Sequence, residues 1–201
     1  VRSFVNYQQF SKLLTEFIDF KEDNTARPER NTREHIIPET ARQLEYRDKA
    51  QELFADTKNA GVLKGIKEMK MSAISPYLSV YNETTSPSLE SFVENSPKIK
   101  LMAKMIAKNL KDNPDGGQII YSPVGVNIFG FLKEAIVKEA GLKPEQVAII
   151  AGKPANPVLN VPIKWDTSKK ARLKTQEDFN AGKVKVIIGS ETIEEGINLQ
   201  E

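Results

Sequence analysis

The 201-residue chain contains no cysteine, one histidine and one tryptophan, and aromatic residues make up only 7% of it. Without cysteine there is no disulfide and no thiolate metal site, which suits a reducing compartment. His35 stands in a polar stretch with no second histidine at ligand spacing, so it reads as a solvated side chain and not as a metal ligand. No apolar run approaches the roughly 18 residues of a membrane helix. The opening VRSFVNYQQF lacks the basic-then-apolar layout of a secretory leader. These absences point to a cytoplasmic protein with no membrane partner. Charge of one sign is also missing: 29 basic against 27 acidic residues leave a net charge of +2, too little for an overall field that demands a polyanion. Nor is there a GxxxxGK[ST] phosphate loop. Gly152-Lys153 is followed by Pro154 and Gly182-Lys183 by Val184, so neither supplies the hydroxyl that would hold magnesium. No Asp-Glu pair closes an apolar strand. Phosphoryl transfer needs a phosphate cradle, a metal and usually an arginine; the chain alone is not expected to hydrolyse ATP.

What remains is ordinary in bulk, with 39% apolar and 28% charged residues, and long enough for one domain or two. The turn cluster Asp112–Gly117 (DNPDGG) divides it into a mostly helical extension, residues 1–112, and a second region, residues 113–201. In the first, Phe4, Phe10, Leu13, Leu14, Phe17 and Ile18 form an apolar face at near-helical spacing. Lys21–Glu34 reads as a surface loop. Pro38-Glu39 opens a second helix with Leu44, Ala50, Leu53 and Phe54 as core candidates. A third runs from about Val62 to Ser75 and is stopped by Pro76. Ser96 is placed to cap a fourth, with Pro97 at its first position. Its stripe of Ile99, Met102, Ala103, Ile106 and Leu110 is amphipathic.

The second region alternates. Strand-like Gln118–Ser122 (QIIYS) leads to a helix over Asn127–Ala140, then to strand-like Val147–Ala151 (VAIIA). A helix over Ser168–Ala181 precedes a third apolar strand, Val184–Ile188. Asn127 and Ser168 are candidate N-caps, and Gly141 and Gly182 candidate C-terminal stops. Such alternation predicts an α/β fold whose parallel strands are joined by crossover helices. Ser122, Gly152 and Ser190 would then lie at the carboxyl ends of the strands, where open α/β sheets bind ligands.

The order QIIYS, AIIAG, SKKARLKTQEDFNAGKVKVIIGSETIEEGINLQ resembles the second RecA-like lobe of superfamily 2 helicases and translocases, closest to the Swi/Snf-like branch. QIIYS is similar to motif IV and GSETIEEGINLQ to motif V, with Arg172, Phe179 and Gly182 matching the R…F…G pattern between them. SPKIKLMAKMI resembles the helix that leads into motif IV. IIPETARQLEYRDKAQEL is similar to the Pro…Gln…Tyr helix that follows the first lobe, and Lys64–Leu78 to the helix that ends in a Pro-aromatic-Leu turn. The resemblance implies a partial RecA-like sheet behind a helical extension, seen as a fragment that ends after motif V, without the arginine-rich motif VI. It implies a parent ATP hydrolase, with ATP and Mg2+ between this lobe and a first lobe of the same polypeptide. No cofactor is expected on the fragment itself. DNA or RNA would be the partner.

On the site residues the resemblance assigns Ser190 and Thr192 to the nucleic-acid backbone and Glu195 and Gly196 to the side facing ATP. The residues alone also allow Ser190–Thr192 as a capped turn. Ser122, before Pro123, could meet a phosphate or simply end a strand, and Gly152 could donate a backbone N–H or merely turn the chain. From Lys153 to Lys174, Lys153, Lys164, Lys169, Lys170, Arg172 and Lys174 face the single acid Asp166. Lys169, Lys170 and Arg172 are therefore candidate phosphate contacts, against the alternative of a solvated face. Pro154, Pro157 and Pro162 make Lys153–Trp165 a surface loop. Trp165 could stack on a base but is better placed as a half-buried packing residue. The neighbouring acids Glu194-Glu195 cannot face each other on a helix, which argues against a two-carboxylate dyad. Outside the helicase reading stands a non-catalytic phosphate- or protein-binding module with a Rossmann-like sheet.

Overall fold

The computed structural model describes residues 32–56, 60–154, 159–160 and 164–193. The chain divides into two compact units, residues 1–36 and 37–201. Of the first, only 32–36 are described; they are exposed and free of regular structure, His35 among them. The apolar face of Phe4–Ile18 lies outside the described residues. Among the described residues, all regular structure belongs to the second unit.

Helix α1 (Ala41–Glu52) starts at a capping box: Thr40 Oγ1 accepts from the Gln43 amide, and the Gln43 side chain accepts from the Thr40 amide at 3.0 Å. The Gln43 amide group also donates across to the Ser72 carbonyl on helix α2 (Gly61–Ile74) at 2.9 Å. One buried side chain therefore fixes both the start of α1 and its partner. The two helices approach closely, because a Cβ on Gly65 would meet the Ala50 carbonyl at 2.6 Å and the Phe54 ring. This changes the expected core of α1. Gln43, Tyr46 and Ala50 are buried, whereas Leu44 and Phe54 are each 37% exposed and Leu53 is half-buried. Tight packing selects the small and hydrogen-bonding face over the leucine face.

After α2, Pro76 opens a single 3-10 turn, Pro76–Leu78. Arg42 pins the following segment. Its guanidinium lies 5.1 Å from the Tyr77 ring centroid and donates to Tyr46 Oη at 3.0 Å and to Asn82 Oδ1 at 2.9 Å. Glu68 is buried, and its carboxylate accepts from the Val80 amide (3.0 Å) and the Ser79 hydroxyl. A buried carboxylate is tolerable when donors of this kind surround it.

Helices α3 (Leu89–Asn95) and α4 (Pro97–Asp112) meet at Ser96. Pro97 occupies the first position of α4 as expected, but Ser96 makes no side-chain cap; its buried hydroxyl shares a 2.7 Å hydrogen bond with Ser75. The α4 stripe is realised, with Ile99, Ala103 and Ile106 buried and Met102 and Leu110 packed beside them.

Strands β1 (Gln118–Tyr121), β2 (Val147–Ile150) and β3 (Val186–Gly189) form one parallel sheet in the order β1-β3-β2. Helix α5 (Phe129–Ala140) carries the chain from β1 to β2, and helix α6 (Lys169–Asn180) from β2 to β3. The expected parallel α/β sheet is present, with the last strand inserted between the first two. Asn127 is not an N-cap. Gly125, at φ 82°, turns the chain into a 3-10 turn over Val126–Ile128, and α5 starts only after it. Ser168 does cap α6, accepting from the Ala171 amide, and Gly141 and Gly182 follow their helices at φ 64° and 69°.

Alternation along the strands separates two cores. Ile120, Val147, Ile149, Val186 and Ile188 face α4 and α5. Ala148, Ile150 and Ile187 face the other way, with Phe179 of α6 and Ile193. On that second face Ile119 and Tyr121 of the edge strand β1 stay 48% and 45% exposed. Tyr77, Phe92 and the α4 stripe belong to the same core as the first sheet face, so α3, α4 and the end of α2 share one interior with the sheet.

Candidate functional site at the carboxyl edge of the sheet

The register aligns Tyr121 with Gly189 and Ile150 with Gly189, so all three strands end at one level. Just beyond it, the Ser122 amide donates to the Gly189 carbonyl (2.9 Å) and the Ser190 amide to the Ile150 carbonyl (3.2 Å). Parallel strands lie about 4.8 Å apart, so the residues that leave β1, β3 and β2 span roughly 10 Å along this edge. Ser122, Ser190 and the Ala151-Gly152 turn are thereby brought together, as the alternation predicts.

Their chemistry differs. Ser122 Oγ donates to the Val124 carbonyl at 2.7 Å, so its proton is engaged locally and a phosphate contact would have to displace that bond. Ser190 is 6% exposed, and its hydroxyl shares one 3.4 Å hydrogen bond with Thr192 Oγ1. A pair that shares one hydrogen bond uses one hydroxyl proton and leaves the other to donate. Glu191–Ile193 forms a 3-10 turn closed by the Ile193 amide on the Ser190 carbonyl at 2.9 Å. The amides of Glu191 and Thr192 meet no acceptor among the described residues. Two free N–H groups and a hydroxyl on one turn are what an anionic oxygen requires. Around Gly152 a Cβ would meet nothing within 4 Å, so no close approach by the protein demands glycine there. Glu195 and Gly196, on the ATP side by resemblance, lie outside the described residues.

The basic stretch reaches this edge through Trp165. Its indole N–H donates to the Ala151 carbonyl at 3.2 Å, and the ring packs half-buried against the main core. Packing, the better placed of its two readings, is the one observed. The loop is tied down elsewhere too. Leu159 is 2% exposed, and Asn160 donates from its backbone to the Thr85 carbonyl (2.8 Å) and from its side chain to Ser86 Oγ (2.7 Å). Helix α6 then begins. Lys169 and Lys170 are exposed on its first turn. Cations at a helix N-terminus oppose the macrodipole, so helix stability does not account for them. Asp166 offsets them in part: its carboxylate accepts from the Ser168 amide at 2.8 Å, which, with the Ser168 hydroxyl, holds its pKa below the ordinary carboxylate value. Arg172, expected at the surface, is half-buried, and its Nε is shielded from solvent with no hydrogen-bond partner among the described residues. Arg172 lies seven residues before Phe179 and so on the same face of α6, the face that packs on the smaller core.

Composition and motif matching did not single out Gly189 or Ile193. A Cβ on Gly189 would collide with the Ile193 side chain, which packs over the end of β3 onto Ile150, Val184 and Ile187. The available signal was a glycine closing an apolar strand, followed four residues later by isoleucine. Among the described residues no cluster of His, Asp and Glu could hold a metal ion, and no helix is long and apolar enough to cross a membrane. One groove, of about 640 Å³, opens at the opposite end of the sheet beside Lys108, Lys111, Leu142 and Lys185.

Residues 142–201 match the family model of the helicase conserved C-terminal domain. The match spans β2, α6, β3 and the turn that follows, and it supports a helicase C-terminal lobe. Comparison with curated proteins and with solved structures returned no match.

Proposed function

We propose that residues 113–201 are part of the second motor lobe of an ATP-dependent DNA helicase or translocase of the Swi/Snf-like branch of superfamily 2. Helices α1 to α4 brace that lobe. What supports the reading is the Ser190–Thr192 turn at the carboxyl edge, where the Glu191 and Thr192 amides meet no acceptor among the described residues, together with the exposed cations Lys169 and Lys170 on the first turn of α6. Ser190–Thr192 and both lysines lie within the segment that matches the helicase model, residues 142–201. In this reading Ser190 and Thr192 hold a nucleic-acid phosphate, Lys169 and Lys170 line the backbone path, and Arg172 supports it from within. Ser122 and Gly152 lie at its margin. Glu195 and Gly196 face ATP, which with Mg2+ would sit between this lobe and a first lobe. Closing that cleft would move the lobes along a strand by a hinge motion. The setting is cytoplasmic.

The test is salt-dependent binding to a short labelled oligonucleotide, single-stranded and duplex. The chain should bind weakly and without sequence preference. The double variant K169A/K170A should flatten the log–log salt slope by about one unit for each phosphate it no longer neutralises. For two phosphates, a fourfold rise in salt should then weaken the wild type about seven- to twelvefold more than the variant. An unchanged slope in a folded variant removes these lysines from the path. Binding to a protein ligand with none to DNA would favour the phosphate- or protein-binding module.

A further inference from the structure

The turn that presents Ser190 and Thr192 is short, and among the described residues its hydrogen bonds are three: the Ser190 amide on the Ile150 carbonyl, the Ile193 amide on the Ser190 carbonyl, and the bond between the Ser190 and Thr192 hydroxyls. What else holds it is apolar. Ile193 folds back so that its side chain occupies the volume a Cβ on Gly189 would need, and it packs onto Ile150, Val184 and Ile187 in the smaller core. That core lies on the α6 face of the sheet, directly beneath the first residues after β3. A side chain locked in this way fixes the backbone on either side of it, because leaving the socket would expose its apolar surface and open a void over Gly189.

We infer that Ile193 is a positioning residue: seated in the socket left by Gly189, it holds the Ser190–Thr192 turn so that the free amides and hydroxyl point off the edge together. The inference rests on the proposed phosphate contact for its function, but not for its geometry. Ile193 itself touches no ligand; it acts through the turn. Val keeps the β-branched shape but lacks Cδ1, the Ile193 atom that lies nearest the Cβ position of Gly189, and so fills the socket only in part.

The experiment uses the full chain with I193A, I193V and G189A, each checked by circular dichroism, and two readouts. Amide exchange reports the latch. In I193A the amides of Ser190 and Ile193 should exchange at least tenfold faster, while those of Ile120 and Ala148, deeper in the sheet, stay at wild-type rates. I193V, which keeps Cγ1 but not Cδ1, should fall between I193A and the wild type. Oligonucleotide binding reports the function. I193A should lose severalfold in affinity and flatten the salt slope by about one unit, as when one phosphate is no longer neutralised, with I193V between I193A and the wild type. G189A should resemble I193A, because its Cβ expels the side chain. Wild-type exchange at Ser190 and Ile193 in I193A overturns the latch. Faster exchange with unchanged affinity and slope overturns its positioning role. If the unaltered chain shows no salt-dependent binding, the phosphate contact is overturned, and the exchange data alone then decide the latch.

Discussion

Replacing Phe92 by alanine should unfold more than the short helix that carries it. Phe92 is fully buried; its ring stacks on Phe131 of α5 with centroids 4.8 Å apart and an interplanar angle of 23°, and it meets Tyr77 at 5.5 Å. Tyr77 is held in turn by Ser91 and by the Arg42 guanidinium. Truncating a ring in such a site costs the transfer free energy of the deleted atoms plus a cavity term, about 3–5 kcal/mol together. For a unit of this size each kcal/mol lowers Tm by about 2–4 °C, so the expected drop is about 6–20 °C. The protein supplies two independent probes. Far-UV circular dichroism reports mainly the helices. Trp165, the only tryptophan, is anchored to the Ala151 carbonyl beside β2 and reports the sheet. Because Phe92 lies in the core that α3, α4 and α5 share with the sheet, both signals should fall by the same amount and remain coincident. A shift in the circular dichroism transition with the Trp165 transition unchanged would refute the shared interior.

Further outcomes follow from single residues. Gln43→Leu keeps the volume of a buried side chain but removes the bond to the Ser72 carbonyl and half of the capping box, so it should destabilise by about 1–3 kcal/mol in urea unfolding. The Asp166 carboxylate, held below its ordinary pKa mainly by the Ser168 amide, contributes at pH above the ordinary carboxylate value, and that contribution disappears as pH falls through its depressed value. Exchange of the Ser168 amide should therefore rise below that range in the wild type, and D166A should show no such acid step. The 201-residue chain, which lacks a phosphate loop, should show no ATPase above background with or without DNA; turnover that survives repurification and responds to DNA would sink the assignment.

The strands and helices were legible in the sequence because their signals are local. Apolar runs such as VAIIA, the cap at Ser168 and the stops at Gly141 and Gly182 act through bonds within a turn of the chain, and all three held. The site edge was legible for the same reason, since a parallel sheet places every strand's exit on one side. Features that depend on distant partners were not. Ser96 looked like a cap until Ser75 took its hydroxyl, and the leucine face of α1 looked buried until Gly65 let α2 approach its other side. Arg172 turned inward and Lys169 outward, although both lie in one basic run. The sequence by itself determined the three strands to within two residues, the helices other than the short α3, and that Ser122 and Ser190 leave the sheet at the same end. Only the tertiary structure decided that β3 lies between β1 and β2, and that Ile193 closes over Gly189. Pairing order and side-chain seating are set by packing between residues far apart in the chain, which no local pattern encodes.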